Sequence, residues 1–211
     1  MTDITFKEFS DELLTRVDNN QIEVTQEERD IYEAFLSPDE KTPDKILTLN
    51  GYPLVVNHQA KYTEHNTPNG AVKITFEKPP VWNNICAAFG IVPDTAVFTY
   101  GDMIYNPNMM DLPDFIIEHE KVHMMQQGFS NEGAAVWWGK FLRDPEFRLD
   151  QEAQAYAAQY DHICLSRKVK DRNARFRIRM DLARILSGPL YHRAIGTIPA
   201  LKLIEKYAKT K

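Results

Sequence analysis

Two histidines and a glutamate stand together at His119-Glu120-Lys121-Val122-His123. On an α-helix, residues four apart lie on one face, about one turn from each other. Two imidazoles so placed can both reach one zinc ion, at Zn–N distances of about 2.0–2.1 Å. Glu120, beside the first histidine, can turn its carboxylate toward the open coordination position and act as general base on water. The chemistry on offer is hydrolysis with one catalytic zinc. The competing reading is a buried helix whose histidines only make hydrogen bonds.

A catalytic zinc usually takes three protein ligands and keeps one position open. The third is expected from a later helix packed on the first. The candidates after His123 are Glu132, Glu146, Asp150, Glu152 and His162. Glu132 and Glu146 stand at helix starts, where the helix dipole explains an acid. Asp150 is two residues from Glu152 and faces elsewhere, and His162 lies nearly three turns beyond it. Glu152 sits inside a helix among Ala153, Ala155, Tyr156 and Ala157. A buried acid there needs a partner. Glu152 is the expected ligand, and an ion pair with Arg148 one turn earlier is the alternative.

The elements that must position these groups are legible in outline. Asp111-Leu112-Pro113 reads as a helix start, with Asp111 or Asp114 as cap and Pro113 in the first turn. Phe115, Ile116, His119, Val122, His123 and Gln126 then share one face, with Glu118 and Lys121 on its flank. Ahead of it, Thr95–Tyr105 is an apolar run with strand character. Asn50-Gly51 between Ile46–Leu49 and Tyr52–Val56 is a hairpin signal. His58–Gly70 is polar and reads as an exposed loop. His58 and His65 could hold a second metal, but a solvated loop is the expected reading. Ala71–Phe76 alternates like a half-buried strand, and Pro80–Gly90 reads as a helix ended by its glycine.

The rest is helical. Asn131–Leu142 comes first. Asp144-Pro145-Glu146 then opens a long helix to about Arg167, and further helices span Asp171–Leu186 and Pro199–Ala208. The predicted fold class is α+β: a small sheet with a hairpin and an edge strand, followed by a mostly helical core that carries His119-Glu120-x-x-His123. Residues 5 to about 37 read as two helices followed by the linker Ser37–Pro43, so that residues 1–43 form an arm separable from a domain over 44–211. The arm's apolar stripe of Phe6, Phe9, Leu13 and Val17 must be buried somewhere. It could lie on the domain, over the cleft, or against another copy of the chain.

Composition narrows the partners. The chain has 211 residues, 43% hydrophobic and 26% charged, with a net charge of −5. This is ordinary for a globular domain and argues against a nucleic-acid partner. The basic stretch Arg167–Arg179 reads as a solvated helix face. No apolar run reaches the roughly 18 residues of a membrane span, and Met1–Glu8 is no signal peptide. Cys86 and Cys164 are expected to be free thiols, which fits a cytoplasmic location.

His119-Glu120-x-x-His123 with Glu152 downstream resembles the gluzincin branch of the zincin metallopeptidases. His119–Gln127, Trp137-Trp138, Asp144-Pro145-x-Phe147-Arg148, Glu152-Ala153-x-Ala155-Tyr156 and Leu186–Tyr191 are similar to small metallopeptidases encoded by tailed bacteriophages. The resemblance covers residues 95–205 and would place the chain in the host cytoplasm. It implies a zincin fold, one catalytic zinc on His119, His123 and Glu152, and Glu120 as base in peptide-bond hydrolysis. It also implies an edge strand that binds substrate by strand addition, for which Thr95–Tyr105 stands in the matching place. Tyr156 and Tyr191 are candidate donors to the oxyanion, although either could be a core tyrosine. The expected partner is a protein or peptide. The alternatives are a peptidoglycan amidase or endopeptidase, a protease restricted to one host or viral protein, and a zinc-containing binding protein without activity.

Overall fold

The computed structural model describes residues 46–49, 52–55, 61–67, 70–90, 92–191 and 193–210. The expected N-terminal arm over 1–43, with its role between copies of the chain, lies outside the described residues, as does His58. The described residues form an α+β fold, with the strands first and the helices mostly after them.

Strands β1 (Ile46–Leu49) and β2 (Tyr52–Val55) pair antiparallel with Leu49 opposite Tyr52. That is the register a two-residue Asn-Gly connection sets. Strands β3 (Thr63–Thr67), β4 (Gly70–Thr75), β5 (Phe98–Tyr100) and β6 (Met103–Tyr105) form a second sheet in the order β3-β4-β6-β5. The central pair β4 and β6 is parallel, and both outer pairs are antiparallel. Helix α1 (Trp82–Phe89) lies in the crossover from β4 to β6 and ends at Gly90, whose φ of 73° suits glycine.

Two expectations change here. The polar stretch read as a loop contains β3, whose first four residues are exposed. An edge strand with exposed side chains has no apolar alternation to show. The single strand expected over Thr95–Tyr105 is instead a hairpin. Gly101, at φ 65°, turns the chain between β5 and β6, and a Cβ there would lie 2.9 Å from Asn131 Oδ1.

Six α-helices lie among the described residues. Helix α2 (Asp114–Gln126) has Pro113 as N-cap, extended at ψ 151°, with no side-chain cap. The expected cap at Asp111 or Asp114 is therefore displaced. Proline already holds the extended N-cap backbone, and Asp114 comes next as a first-turn acid that the dipole favours. Helix α3 (Asn131–Arg143) is capped by Ser130, whose Oγ accepts from Gly133 N at 3.0 Å. Helix α4 (Pro145–Ser166) starts as predicted: Asp144 Oδ1 accepts from Glu146 N at 2.9 Å and from Phe147 N at 3.0 Å. Helix α5 (Arg172–Leu186) is capped by Asp171 and leads into the short turn Pro189–Tyr191. Helix α6 (Thr197–Tyr207) begins two residues ahead of the expected Pro199. Proline is tolerated in a first turn, where the N–H has no helical partner to lose. Cys86 and Cys164 are free thiols. Among the described residues no helix is long and apolar enough to cross a membrane.

Helix α2 lies between the sheet and α4. Ile117 and Met124 pack with Val72, Ile74 and Ile104 of the sheet. His119, His123 and Gln126 are buried on the side toward α4. The buried face is thus wider than the sequence stripe. Ile117, Glu120 and Met124 replace Phe115, Ile116 and Val122, which are only half-buried. Lys121, on the flank, donates to Glu118 at 3.0 Å and to Thr67 Oγ1 at 2.7 Å. Two further apolar clusters complete the core. One joins α4, α5 and α6 through Leu149, Tyr160, Leu186 and Ile204. The other joins α1, α3 and the sheet through Ile85, Tyr100, Trp138 and Phe141.

The α2–α3 corner depends on one absent side chain. A Cβ at Gly133 would fall 2.1 Å from the backbone oxygen of Gln127. Because the obstacle is backbone, it cannot swing away. Gly133→Ala is expected to destabilise the protein by about 2–3 kcal/mol, read as a lower midpoint in urea. An unchanged midpoint would show that this corner is not tightly packed.

Candidate metal centre

Helix α2 brings His119, Glu120 and His123 to the site, and α4 brings Glu152 and Tyr156. The turn after α5 brings Tyr191. All six are buried, between 5% and 8% exposed. His119, His123 and Glu152 form the one group of potential metal ligands among the described residues. Glu132, Glu146, Asp150 and His162 are not part of it. Nor is His65, which is exposed on β3.

The donor distances allow a test of fit. His119 Nε2 and His123 Nε2 are 3.2 Å apart. His119 Nε2 is 3.5 Å from Glu152 Oε2, and His123 Nε2 is 3.7 Å from Oε1. A tetrahedral ion with bonds of about 2.0–2.1 Å needs its donors roughly 3.3–3.4 Å apart. The triangle has that size.

The outer hydrogen bonds show which way the lone pairs point. His123 Nδ1 is 2.8 Å from Gln126 Oε1. The orientation of that amide is fixed, because its Nε2 donates to the Gln151 carbonyl at 3.0 Å. His123 therefore carries its proton on Nδ1 and presents a bare Nε2 inward. His119 Nδ1 stands 3.1 Å from Gln159 Oε1, and with its proton on Nδ1 it presents Nε2 inward in the same way. Metal-bound histidines are held this way, the outer nitrogen donating to a fixed oxygen. Two such imidazoles and a carboxylate turn only electron pairs toward one another. A proton on His119 relieves part of the clash, whereas a cation between them relieves all three contacts.

The charges agree with this geometry. Burial pushes the His119 imidazole down, but the hydrogen bond and charge of Glu152 outweigh it and leave it raised. Burial pushes Glu152 up, and His119, His123 and the Tyr191 hydroxyl together hold it below the usual carboxylate range. Arg148, the alternative partner, is engaged elsewhere. Its Nη1 donates to the Phe141 carbonyl at 2.8 Å, and its guanidinium lies over the Phe89 and Phe141 rings.

The two tyrosines take parts that the sequence did not distinguish. Tyr191 OH donates to Glu152 Oε2 at 2.7 Å, so it holds the carboxylate. Its single proton is thereby used, and Tyr156, 3.2 Å away, must donate to it. Burial and the Glu152 charge push both phenols up, which keeps them protonated.

Glu120 lines one pocket together with His119, His123 and Glu152 but stands outside the ligand group. Its Oε2 accepts from Thr99 Oγ1 at 2.8 Å, tying it to β5. Strand β5 is at the sheet edge, as expected, but its middle is occupied. The Thr99 carbonyl accepts from Trp138 Nε1 at 2.9 Å and from Gln127 Nε2 at 3.1 Å. It therefore has no free carbonyl at its centre for an added strand. Sequence reasoning passed over Gln159, Gln151 and Thr99 as site residues. Gln159 lies seven residues from Glu152, on the same helix face, and that spacing was a usable signal. Thr99 carried none.

Each imidazole depends on one amide. Gln126→Leu and Gln159→Leu are each expected to weaken zinc affinity 10–100-fold with the fold intact, measured by competition with a chelating dye. Affinity within twofold of wild type in both would show that the amides do not orient the histidines.

Compared with known proteins, the chain matches no family model, no curated protein and no solved structure.

Proposed function

We propose that the chain is a zinc-dependent hydrolase that cleaves peptide bonds, with a zincin-like site. The observation that carries this is the donor triangle of His119, His123 and Glu152, with lone pairs turned inward and Glu120 beside it. When bound there, zinc supplies a Lewis acid that polarises a carbonyl and makes water acidic enough to ionise near neutral pH.

The chain's own groups do the rest. Gln126 and Gln159 keep the imidazole tautomers fixed, and Tyr191 keeps the Glu152 carboxylate turned inward. Glu120, steadied on one oxygen by Thr99, takes a proton from the attacking water and passes it to the leaving amine. Tyr156 can exchange its long hydrogen bond to Tyr191 for one to the developing oxyanion. The walls of the pocket exclude water around these steps, which strengthens each electrostatic contact.

Elemental analysis is expected to find one zinc per chain. His123→Ala should lose more than the roughly 10–100-fold in affinity that a lost orienting partner costs. A protein that takes up no stoichiometric zinc would end the proposal. Glu120→Gln is expected to keep the zinc and lose about 10²–10⁴ in turnover on a casein or peptide-library substrate. Turnover near the wild-type rate would remove Glu120 as base. Full zinc without cleavage by either form would favour a binding protein.

A further inference from the structure

We infer that the pocket beyond the metal centre is a side-chain subsite, which selects substrates with a bulky apolar residue, aromatic above all, beside the scissile bond. This rests on the peptidase reading, whose bond-breaking groups it extends.

The pocket holds about 260 Å³ and is divided chemically. Its ionic residues, His119, Glu120, His123 and Glu152, all belong to the metal centre and its base. Among the described residues no other lining residue carries a charge. The opposite wall is Ile85, Phe89, Val92, Phe98, Trp138 and Phe141, all from the cluster between α1, α3 and the sheet. The two ends are continuous. The His123 ring lies 5.3 Å from Trp137, Trp137 stacks on Phe141 at 4.5 Å, and Phe141 lies 6.5 Å from Phe89. A chain of ring contacts thus runs from a candidate ligand to the far wall.

The polar atoms on this wall are already engaged. Trp137 Nε1 donates to Gln151 Oε1 at 3.0 Å, and Trp138 Nε1 donates to the Thr99 carbonyl at 2.9 Å. Gln127 accepts from Gly101 N at 2.8 Å and donates to the Thr99 carbonyl at 3.1 Å. A charged side chain entering here would lose its water and find no partner, whereas an apolar one loses nothing. The wall is also braced, because the Arg148 guanidinium lies 5.1 Å from the Phe89 ring and 5.8 Å from Phe141. Size sets the upper limit. A cavity of about 150 Å³ suffices for benzene. The volume here admits one aromatic side chain and the peptide unit attached to it.

The test uses the full-length, zinc-loaded protein in two arms. In the first, a set of peptides differing at one position is digested and the cut sites are mapped. Peptides with Phe or Leu beside the cut are expected to exceed those with Ala or Asp in kcat/KM by on the order of a hundredfold. Ala96→Trp, on the lip of the pocket, is expected to keep the zinc and reduce that preference at least about tenfold. In the second arm, N-acetyl amides of Phe, Leu, Ala and Asp are titrated while tryptophan emission is read from the wall. Phe and Leu amides are expected to bind more tightly, and Ala96→Trp to weaken them.

Cleavage without preference for apolar residues would overturn the subsite and leave the peptidase reading standing. Selective binding of Phe and Leu amides without cleavage of any peptide would support the subsite and count against the peptidase. Neither cleavage nor selective binding would overturn both. A preference that Ala96→Trp leaves unchanged would place the selection elsewhere and overturn this assignment.

Discussion

The site depends on two helices meeting through polar side chains. Where α2 faces α4, the groups in contact are His119, His123 and Gln126 on one side and Gln151, Glu152 and Gln159 on the other. A buried polar seam of this kind costs free energy unless each group finds a partner. Here each finds one on its outer side, only the inward electron pairs of His119, His123 and Glu152 still face one another, and the apolar burial that holds the helices together lies on their outer sides. Ile117 and Met124 fasten α2 to the sheet, and Leu149, Ala153 and Tyr160 fasten α4 to α5 and α6. Each buried Ile, Leu or Met contributes roughly 1.5–3 kcal/mol. Two apolar layers therefore clamp a polar seam between them, and the seam can be given over to chemistry.

The orienting groups are amides, and that choice has electrostatic weight. Both imidazoles rest on glutamine oxygens instead of carboxylates. With neutral histidines, the three-ligand set carries one formal negative charge, on Glu152. A carboxylate behind each histidine would add two more in the same dry space, where like charges repel strongly. The amides fix the tautomers without that repulsion. They leave the proposed cation as the group that balances Glu152, and they leave Glu120 as a second acid whose charge is not multiplied by its neighbours.

How much was legible in the sequence depended on how local each signal is. His119-Glu120-x-x-His123 reads directly, because helix geometry alone puts the histidines on one face. The cap at Asp144-Pro145 and the pairing of β1 with β2 read for the same reason: each signal lies within the segment it decides. Glu152 was found through its setting, an acid among alanines that needs a partner. Other features were decided from outside their own segment. The turn at Gly101 sits inside an apolar run, and Gln127 holds its N–H from just beyond the end of α2. The inner face of α2 widened because a sheet lies on one side of it and a helix on the other. A single amphipathic stripe cannot express two partners. Both tyrosines were named, but only their positions show that Tyr191 holds the carboxylate while Tyr156 retains a proton it can redirect.

Trp137 joins the candidate metal centre to the rest of the pocket. Its ring lies against His123, its Nε1 donates to Gln151, and its face stacks on Phe141. Gln151, in turn, offers its backbone carbonyl to Gln126, the amide that orients His123. One side chain on α3 therefore touches His123 directly and also reaches it through a loop of hydrogen bonds, while its ring forms part of the apolar wall. A displacement of that wall would be felt at His123 by packing and by the tautomer lock together. The converse also holds. If a bound ion stiffens His123, it stiffens Trp137 as well, so the surface that would receive a substrate side chain becomes more ordered as the reactive end is completed.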